Sequence, residues 1–221
     1  MTFDPLSVLR RNPWFARRAP ALQERLCAEG LVVRLEPGQW VYSEGDPDTG
    51  LCAVLDGALR LEVAVDADRD VLIGLAQAPA ILGQSRRRGG GPRIVTTRAQ
   101  GIATILTISD AALDRIAVAH PDVWKDVSEL VYGELDTIVH FAAQLLLLRP
   151  RARIAARLLQ LASDDRVLAR QSDLAEMCGL TRKAMNDHLA RLEADGLIQR
   201  GYGAVRLLSA AGLTRIARGL S

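Results

Sequence analysis

Apolar positions along this chain recur with two different periods, and the change from one to the other divides it. Between residues 31 and 108, short apolar or alternating runs are separated by turn signals. The runs 31–35, 39–42 and 51–55 are split by Pro37-Gly38 and by Glu44-Gly45-Asp46-Pro47. Asp56-Gly57 leads into 58–65, a tip at 66–70 returns through 71–75, and 93–98 and 102–108 complete the set. Strands of this length and spacing predict a small antiparallel barrel or sandwich. A helical lead-in over 5–29 precedes it.

From Ser109 onward the period is that of a helix. Ser109 is placed to cap a helix over 110–119, and Pro121 opens a long one reaching about residue 148. Along it Val131, Leu135, Ile138, Ala142 and Leu145 alternate in steps of four and three, a seam like that of a coiled coil. Val123, Val127, Leu130 and Val139 form a second apolar strip. A helix apolar on two sides needs two partners. One is its own β-domain; the other is a second copy of the chain, unless both faces are buried within one monomer. The seam continues through 145–148, beyond what a small barrel covers, which favours a homodimer. Arg149-Pro150 then interrupts the pattern, with proline well placed at the first position of a new helix over 151–162.

The stretch 171–208 carries the most information. Leu174, Ala175 and Cys178 share one face of a first short helix, and Met185, Leu189 and Leu192 one face of a second. Gly179 stands where a positive φ is wanted between them, and Thr181 is placed to cap the second. Gly196 ends that helix, and an alternating run from Leu197 is broken by Gly201-Tyr202-Gly203, as in a hairpin. The order is helix, turn, helix, β-wing, the geometry that delivers a helix into the major groove of DNA. Winged helices also serve as protein-docking modules. Off the apolar stripe lie Thr181, Arg182, Lys183, Asn186 and Asp187. Gln171, Ser172, Arg200 and Tyr202 are candidates for phosphate contacts.

Composition bounds the rest. With 221 residues, 49% hydrophobic, there is enough chain for one large or two small domains. No apolar run approaches the ~20 residues of a membrane span, and the first residues show no signal-peptide pattern, so a cytoplasmic address and no membrane partner are expected. Net charge is only +2, so a basic surface must be local; arginines crowd the final third. Cys27, Cys52 and Cys178 lie far apart, and with His120, His140 and His188 they form no metal or cluster spacing. Zinc and iron–sulfur sites are disfavoured, and buried apolar thiols are expected. No Ser/His/Asp order, phosphate-binding loop or zinc-peptidase spacing supports an enzyme.

The segment 35–63 (LEPGQWVYSEGDPDTGLCAVLDGALRLEV), the long helix from Pro121-Asp122, RIAARLLQLA at 153–162 and LTRKAMNDHLARLEADGLI at 180–198 together resemble the cAMP receptor protein/FNR family of bacterial transcription regulators. The resemblance implies an α+β fold. Residues 1–120 would form an antiparallel, cyclic-nucleotide-binding-like β-roll, 121–148 a dimerisation helix, and 149–221 a winged helix-turn-helix domain. It also implies a homodimer on a two-fold symmetric double-stranded DNA site, with an effector in the β-roll biasing the arrangement of the winged domains. RNA polymerase is a further partner of such regulators, but the short 162–171 loop puts that contact in doubt, and neither activation nor repression follows from the chain.

At the effector site the chain departs from the family pattern. Cyclic-nucleotide binders carry Gly-Glu, a short helix, then Arg-Ser or Arg-Thr; the matching segment here has Gln84 for the glutamate and Ile94 for the hydroxyl, and keeps only Arg93. Three consecutive glycines, Gly89 to Gly91, oppose the short helix. The Thr-Ser pair that contacts adenine aligns with Ile138-Val139, which cannot hydrogen-bond a base. cAMP is therefore disfavoured, as are an FNR-type cluster and haem. The basic loop 86–93 is either an anion site or a solvated loop without its ancestral task. The effector is then an unidentified small molecule, or there is none. Arg182, Lys183 and Asp187 occupy the family's base-reading positions, with charge inverted at two of them. Lys183 suits guanine acceptors. Asp187 can accept from cytosine or pair with Lys183, and Asn186 could read adenine. The family's usual half-site is not expected. The competing reading is a cyclic-nucleotide-type sensor that acts on protein partners and keeps a vestigial winged helix.

Overall fold

The computed structural model describes residues 4–66 and 69–219. It contains two compact units, Met1–Asp70 with Ala76–Asp136, and Val71–Leu75 with Thr137–Ser221. The division falls inside the long helix, whereas the sequence pattern treats 121–148 as an element of its own.

In the first unit three helices lead in: α1 (Pro5–Leu9), α2 (Pro13–Ala16) and α3 (Pro20–Glu29), each with proline in its first turn. The strands are β1 (Leu31–Leu35), β2 (Trp40–Tyr42), β3 (Gly50–Asp56), β4 (Ala58–Asp66), β5 (Arg69–Gln77, whose Val71–Leu75 counts with the second unit), β6 (Ile81–Gln84), β7 (Thr96–Ala99) and β8 (Ala103–Ser109). They form two four-stranded sheets, ordered β1-β8-β3-β6 and β2-β7-β4-β5, so the expected antiparallel β-domain is present. The tip expected over 66–70 includes residues 67 and 68, which lie outside the described residues. Strand β6 escaped the sequence pattern, because four residues of which only Ile81 and Leu82 are apolar, before a polar, glycine-rich loop, resemble a loop end. The strand expected over 93–98 begins only at Thr96, which leaves Arg93 on a loop with its side chain buried.

Strand β3 shows how the two-residue period builds the core. Cys52 and Val54 face the opposite sheet, among Leu35, Leu59 and Ile105. Leu51, Ala53 and Leu55 face outward into a helical layer with Phe15, Leu26, Leu113 and Ile116. Both faces are covered, so the strand reads as a continuous apolar run. Gly50, at φ +141°, has no room for a side chain: a Cβ would lie 2.1 Å from the carbonyl oxygen of Ile108. Helix α4 (Asp110–Ala119) follows, capped by Ser109 as expected. Helix α5 (Val123–Leu147) packs Val123, Val127 and Leu130 into the same layer. Val139, expected on this strip, is 57% exposed. The 4-3-4 steps from Val123 lead instead to Glu134. Helix α5 is also long and apolar enough to cross a membrane, which corrects the expectation that no run approaches that length. The apolar residues after Asp136 that make the candidate seam also raise its hydropathy.

The second unit holds the end of α5, then α6 (Pro150–Leu161), β9 (Arg166–Val167), α7 (Gln171–Met177), α8 (Arg182–Ala194), β10 (Ile198–Gly201), β11 (Ala204–Leu207) and α9 (Ala210–Ala217). Strands β10, β11 and β9 form a small antiparallel sheet. Its core gathers Ile154, Leu158, Leu174, Cys178, Met185, Leu189, Leu192, Ile198, Val205 and Leu213. The segment Val71–Leu75 joins this core through Leu72, whose backbone N–H donates to Glu176 Oε1 at 2.8 Å. The buried Arg157 donates to the carbonyl of Ile73 and to Gln160 Oε1 (2.8 Å), and lies 4.0 Å over the Phe141 ring.

Candidate nucleic-acid interface and effector pocket

The turn between α7 and α8 is set by local chemistry. Gly179 takes φ +62°, and Arg153 of α6 donates to the carbonyl of Cys178 at 2.8 Å, fixing the last turn of α7 from outside. Asp173 accepts the N–H of Arg170 (3.1 Å) and so closes the start of α7. Thr181 Oγ1 accepts from the N–H of Ala184 at 3.2 Å, the expected cap. Met185, Leu189 and Leu192 are fully buried. Their burial orients α8 and turns its other face outward.

On that face Arg182, Lys183, Asn186 and Asp187 are all exposed. Among the described residues no hydrogen bond or ion pair holds Arg182, Lys183 or Asp187, so the Lys183–Asp187 pairing considered from the sequence does not form. Thr181 is exposed but spends its hydroxyl on the cap. Gln171 and Ser172 occupy the first two positions of α7, with Ser172 exposed. Tyr202 stands fully exposed at the tip of the β10–β11 hairpin.

Arg200 differs from these. Its Nε donates to Glu193 Oε2 at 2.7 Å and its backbone N–H to Glu193 Oε1 at 2.7 Å, while Nη1 donates to Asn186 Oδ1 at 3.2 Å. These bonds hold the Glu193 carboxyl below its ordinary range.

In the first unit the residues matched to an effector pocket are committed to the chain itself. Gln84 Nε2 donates to the carbonyls of Gly91 and Pro92, and Gln84 Oε1 accepts the N–H of Ile94. The Ile94 side chain is 65% exposed. Arg93 is buried, donates to the carbonyls of Asp48 (3.0 Å) and Gly50 (3.3 Å), and stacks 4.0 Å over the Tyr42 ring. With Asp46, Asp48, Thr49 and Ser109 it lines a cavity of about 420 Å³. One turn of 3-10 helix forms over Arg86–Arg88 before the glycines, more structure than the glycines suggested. Arg87 pairs with Asp114, and Arg88 lies 4.5 Å over Trp124.

Glu134 belongs to none of the motifs legible in the sequence. It extends the buried strip of α5, and its Oε1 accepts the N–H of Gly83 at 2.9 Å. Burial pushes its carboxyl up to about 8, against the opposing effects of the Gly83 N–H and Arg93. An acidic residue at a core step of the heptad was the available signal. Ile138 and Val139, in the second unit, are about half exposed; in the first, Leu135 is about half exposed and Val131 38%; Ala142 is exposed and Leu145 partly so. Cys52 and Cys178 are buried, and burial pushes their thiols up to about 12 and about 11. Cys27, expected buried, is only partly so, since α3 leaves one side of it to solvent.

Two family models match the chain: a Crp-like helix-turn-helix domain over residues 152–216 and a cyclic nucleotide-binding domain over residues 32–120. The chain belongs to the Crp/Fnr family of transcription regulators. Its relatives in this family include the HTH-type transcriptional regulator Cmr of Mycobacterium tuberculosis, 28% identical over 93% of this chain and 87% of that protein. The nitrogen fixation regulation protein FixK of Bradyrhizobium diazoefficiens is 27% identical over 85% of this chain and 82% of that protein. The solved structure of FixK2 from Bradyrhizobium japonicum superposes with a TM-score of 0.74 at 17% identity, covering 85% of this chain and 96% of that one, a likeness of fold. This Crp/Fnr chain thus carries a DNA-binding helix-turn-helix, whose second helix is α8, behind a cyclic-nucleotide-binding-like β-domain.

Proposed function

We propose that this Crp/Fnr protein acts as a homodimer that reads a two-fold symmetric DNA site through α8 and does so without cAMP. The carrying observation is the outward face of α8, where Arg182, Lys183 and Asp187 stand exposed and unengaged, among the described residues, by any intramolecular partner. Side chains with no internal partner can meet base edges without first breaking a bond. Lys183 offers donors to the N7 and O6 acceptors of guanine, and Asp187 an acceptor to cytosine N4. Gln171, Ser172 and Tyr202 flank this face and suit contacts to phosphate and sugar, which set register and carry no sequence information.

Dimerisation is supported by the exposed apolar row Val131, Leu135, Ile138 on α5, continuing into Leu146 and Leu147, which are more than four-fifths exposed. Independence from cAMP is supported by the pocket. A cyclic phosphate needs a free guanidinium and free backbone donors. Nε and Nη1 of Arg93 are turned onto two carbonyls, the Gly83 N–H is taken by Glu134, and Gln84 by its own loop. Asp46 and Asp48 on the cavity wall oppose an anion further. Arg87 and Arg88 of the 86–93 loop engage Asp114 and Trp124, which favours a structural loop over an anion site.

Selection of duplex DNA from a random pool with the full chain tests the reading. The expected product is an inverted repeat enriched in the absence of any nucleotide. Recovery of no consensus would refute it and favour the reading in which the winged domain docks on protein.

A further inference from the structure

The wing carries one arginine whose bonds do not suit a phosphate contact. Arg200 lies on β10, opposite Val205 of β11, and two of its donors are fixed by both oxygens of Glu193, in the last part of α8. With backbone N–H and Nε both on one carboxylate, the guanidinium plane is set by the helix and not by solvent. Nη1 then reaches back to Asn186, two turns earlier on the exposed side of α8.

A guanidinium has no acceptor, so the atom of Asn186 that faces it is the carbonyl oxygen Oδ1. Fixing Oδ1 toward the wing fixes Nδ2 on the other side of the amide plane. A free asparagine can turn its amide to present either end, and reads adenine by using both at once, donating to N7 and accepting from N6. One whose oxygen is held from the side presents its two N–H donors instead, which match acceptor-rich base edges such as guanine N7 and O6.

We propose that Arg200 is a positioning residue for base recognition: anchored on Glu193, it holds Asn186 Oδ1 toward the wing, so that Asn186 meets the major groove as a donor. The inference rests on α8 being the helix that reads bases. It differs from the expectation that Arg200 clamps a phosphate and that Asn186 reads adenine. It also gives Glu193 a role in specificity although it sits at the far end of the helix.

The test uses the full chain, a site selected from a random pool, and duplexes varying each base pair of that site, with affinities measured by fluorescence anisotropy across a salt series. Asn186→Ala identifies the base pair that Asn186 reads. Arg200→Ala, Arg200→Lys and Glu193→Gln are expected to flatten preference at that same pair by about fivefold or more, the lower end for one good base contact. The double variant Asn186→Ala/Arg200→Ala should flatten it no further, because the two residues act as one unit. Arg200→Ala should leave the slope of log K against log salt unchanged. Lysine keeps the charge but cannot span two partners with a planar fork, so a phosphate clamp would survive that change and a positioning residue would not. Arg200→Lys and Glu193→Gln keep the test open if alanine at 200 unfolds the wing. A slope that falls by about one with base preference intact would overturn the inference. So would an adenine preference that needs Asn186 and is indifferent to Arg200. Failure of the unmodified chain to select any site would remove the reading of α8 itself, a distinct result.

Discussion

Replacing Glu134 by glutamine isolates the electrostatics of the pocket. The amide keeps an oxygen for the Gly83 N–H, which Glu134 accepts at 2.9 Å, and removes the ionisation. Burial lifts the Glu134 carboxyl from 4.5 to about 8, with Gly83 and Arg93 opposing. In the unfolded chain the group returns to its ordinary value. Between pH 4.5 and 8 the folded protein therefore holds a proton that the unfolded chain has released, so the Glu134 contribution makes stability fall as pH rises through this window. Below pH 4.5 both states are protonated and the contribution vanishes; above about pH 8 the loss is complete. At about 1.4 kcal/mol for each tenfold change in the proton equilibrium, the loss is roughly 3 kcal/mol at pH 7 and on the order of 5 kcal/mol above pH 8. Glutamine carries no such loss. Urea denaturation at fixed protein concentration, followed by fluorescence of Trp14, Trp40 and Trp124, reports the first unit, which contains all three. Glu134→Gln should match the unmodified chain near pH 4.5 and exceed it by a margin that widens up to pH 8.5. A margin independent of pH, or a variant less stable at pH 8.5, would refute the reasoning.

Two further outcomes are expected. Lys183→Ala should cost ~1–3 kcal/mol of affinity for a selected site and relax preference at one base pair per half-site; a repeated selection returning the same consensus would exclude Lys183 from base reading. Leu135→Asp would set a charge into the proposed seam and forfeit about 1.5–3 kcal/mol of side-chain burial per protomer, so sedimentation equilibrium should show monomers where the unmodified chain is dimeric.

Elements whose signals are local were legible in the sequence. The Ser109 and Thr181 caps, the Gly179 turn and the Met185-Leu189-Leu192 stripe lie within one or two turns of the structure they specify, and each appears where the pattern put it. The departure of the effector segment from the family pattern was also readable. Its structural consequence was not, because it depends on contacts distant in sequence: Gly83 to Glu134, Arg93 to Asp48 and Gly50. Leu72 is a sharper case. It reads as an ordinary strand residue of the β-domain, yet it is fully buried in the core of the second unit. Val139 misled because nine residues at 3.6 per turn are two and a half turns, which places it on the face opposite Leu130. At the reading face, sequence named Asn186 and Arg200 separately. That the wing folds back on α8 and joins them through Glu193 follows from the tertiary structure alone.

Independence from cAMP is tested most directly by the affinity of the full chain for its pool-selected duplex, taken by anisotropy with and without saturating cAMP and paired with direct calorimetric titration of cAMP. Tight, sequence-specific binding with the same dissociation constant in both conditions is expected, with no binding heat from the nucleotide. Micromolar or tighter cAMP binding, with specific DNA affinity appearing only in its presence, would contradict it.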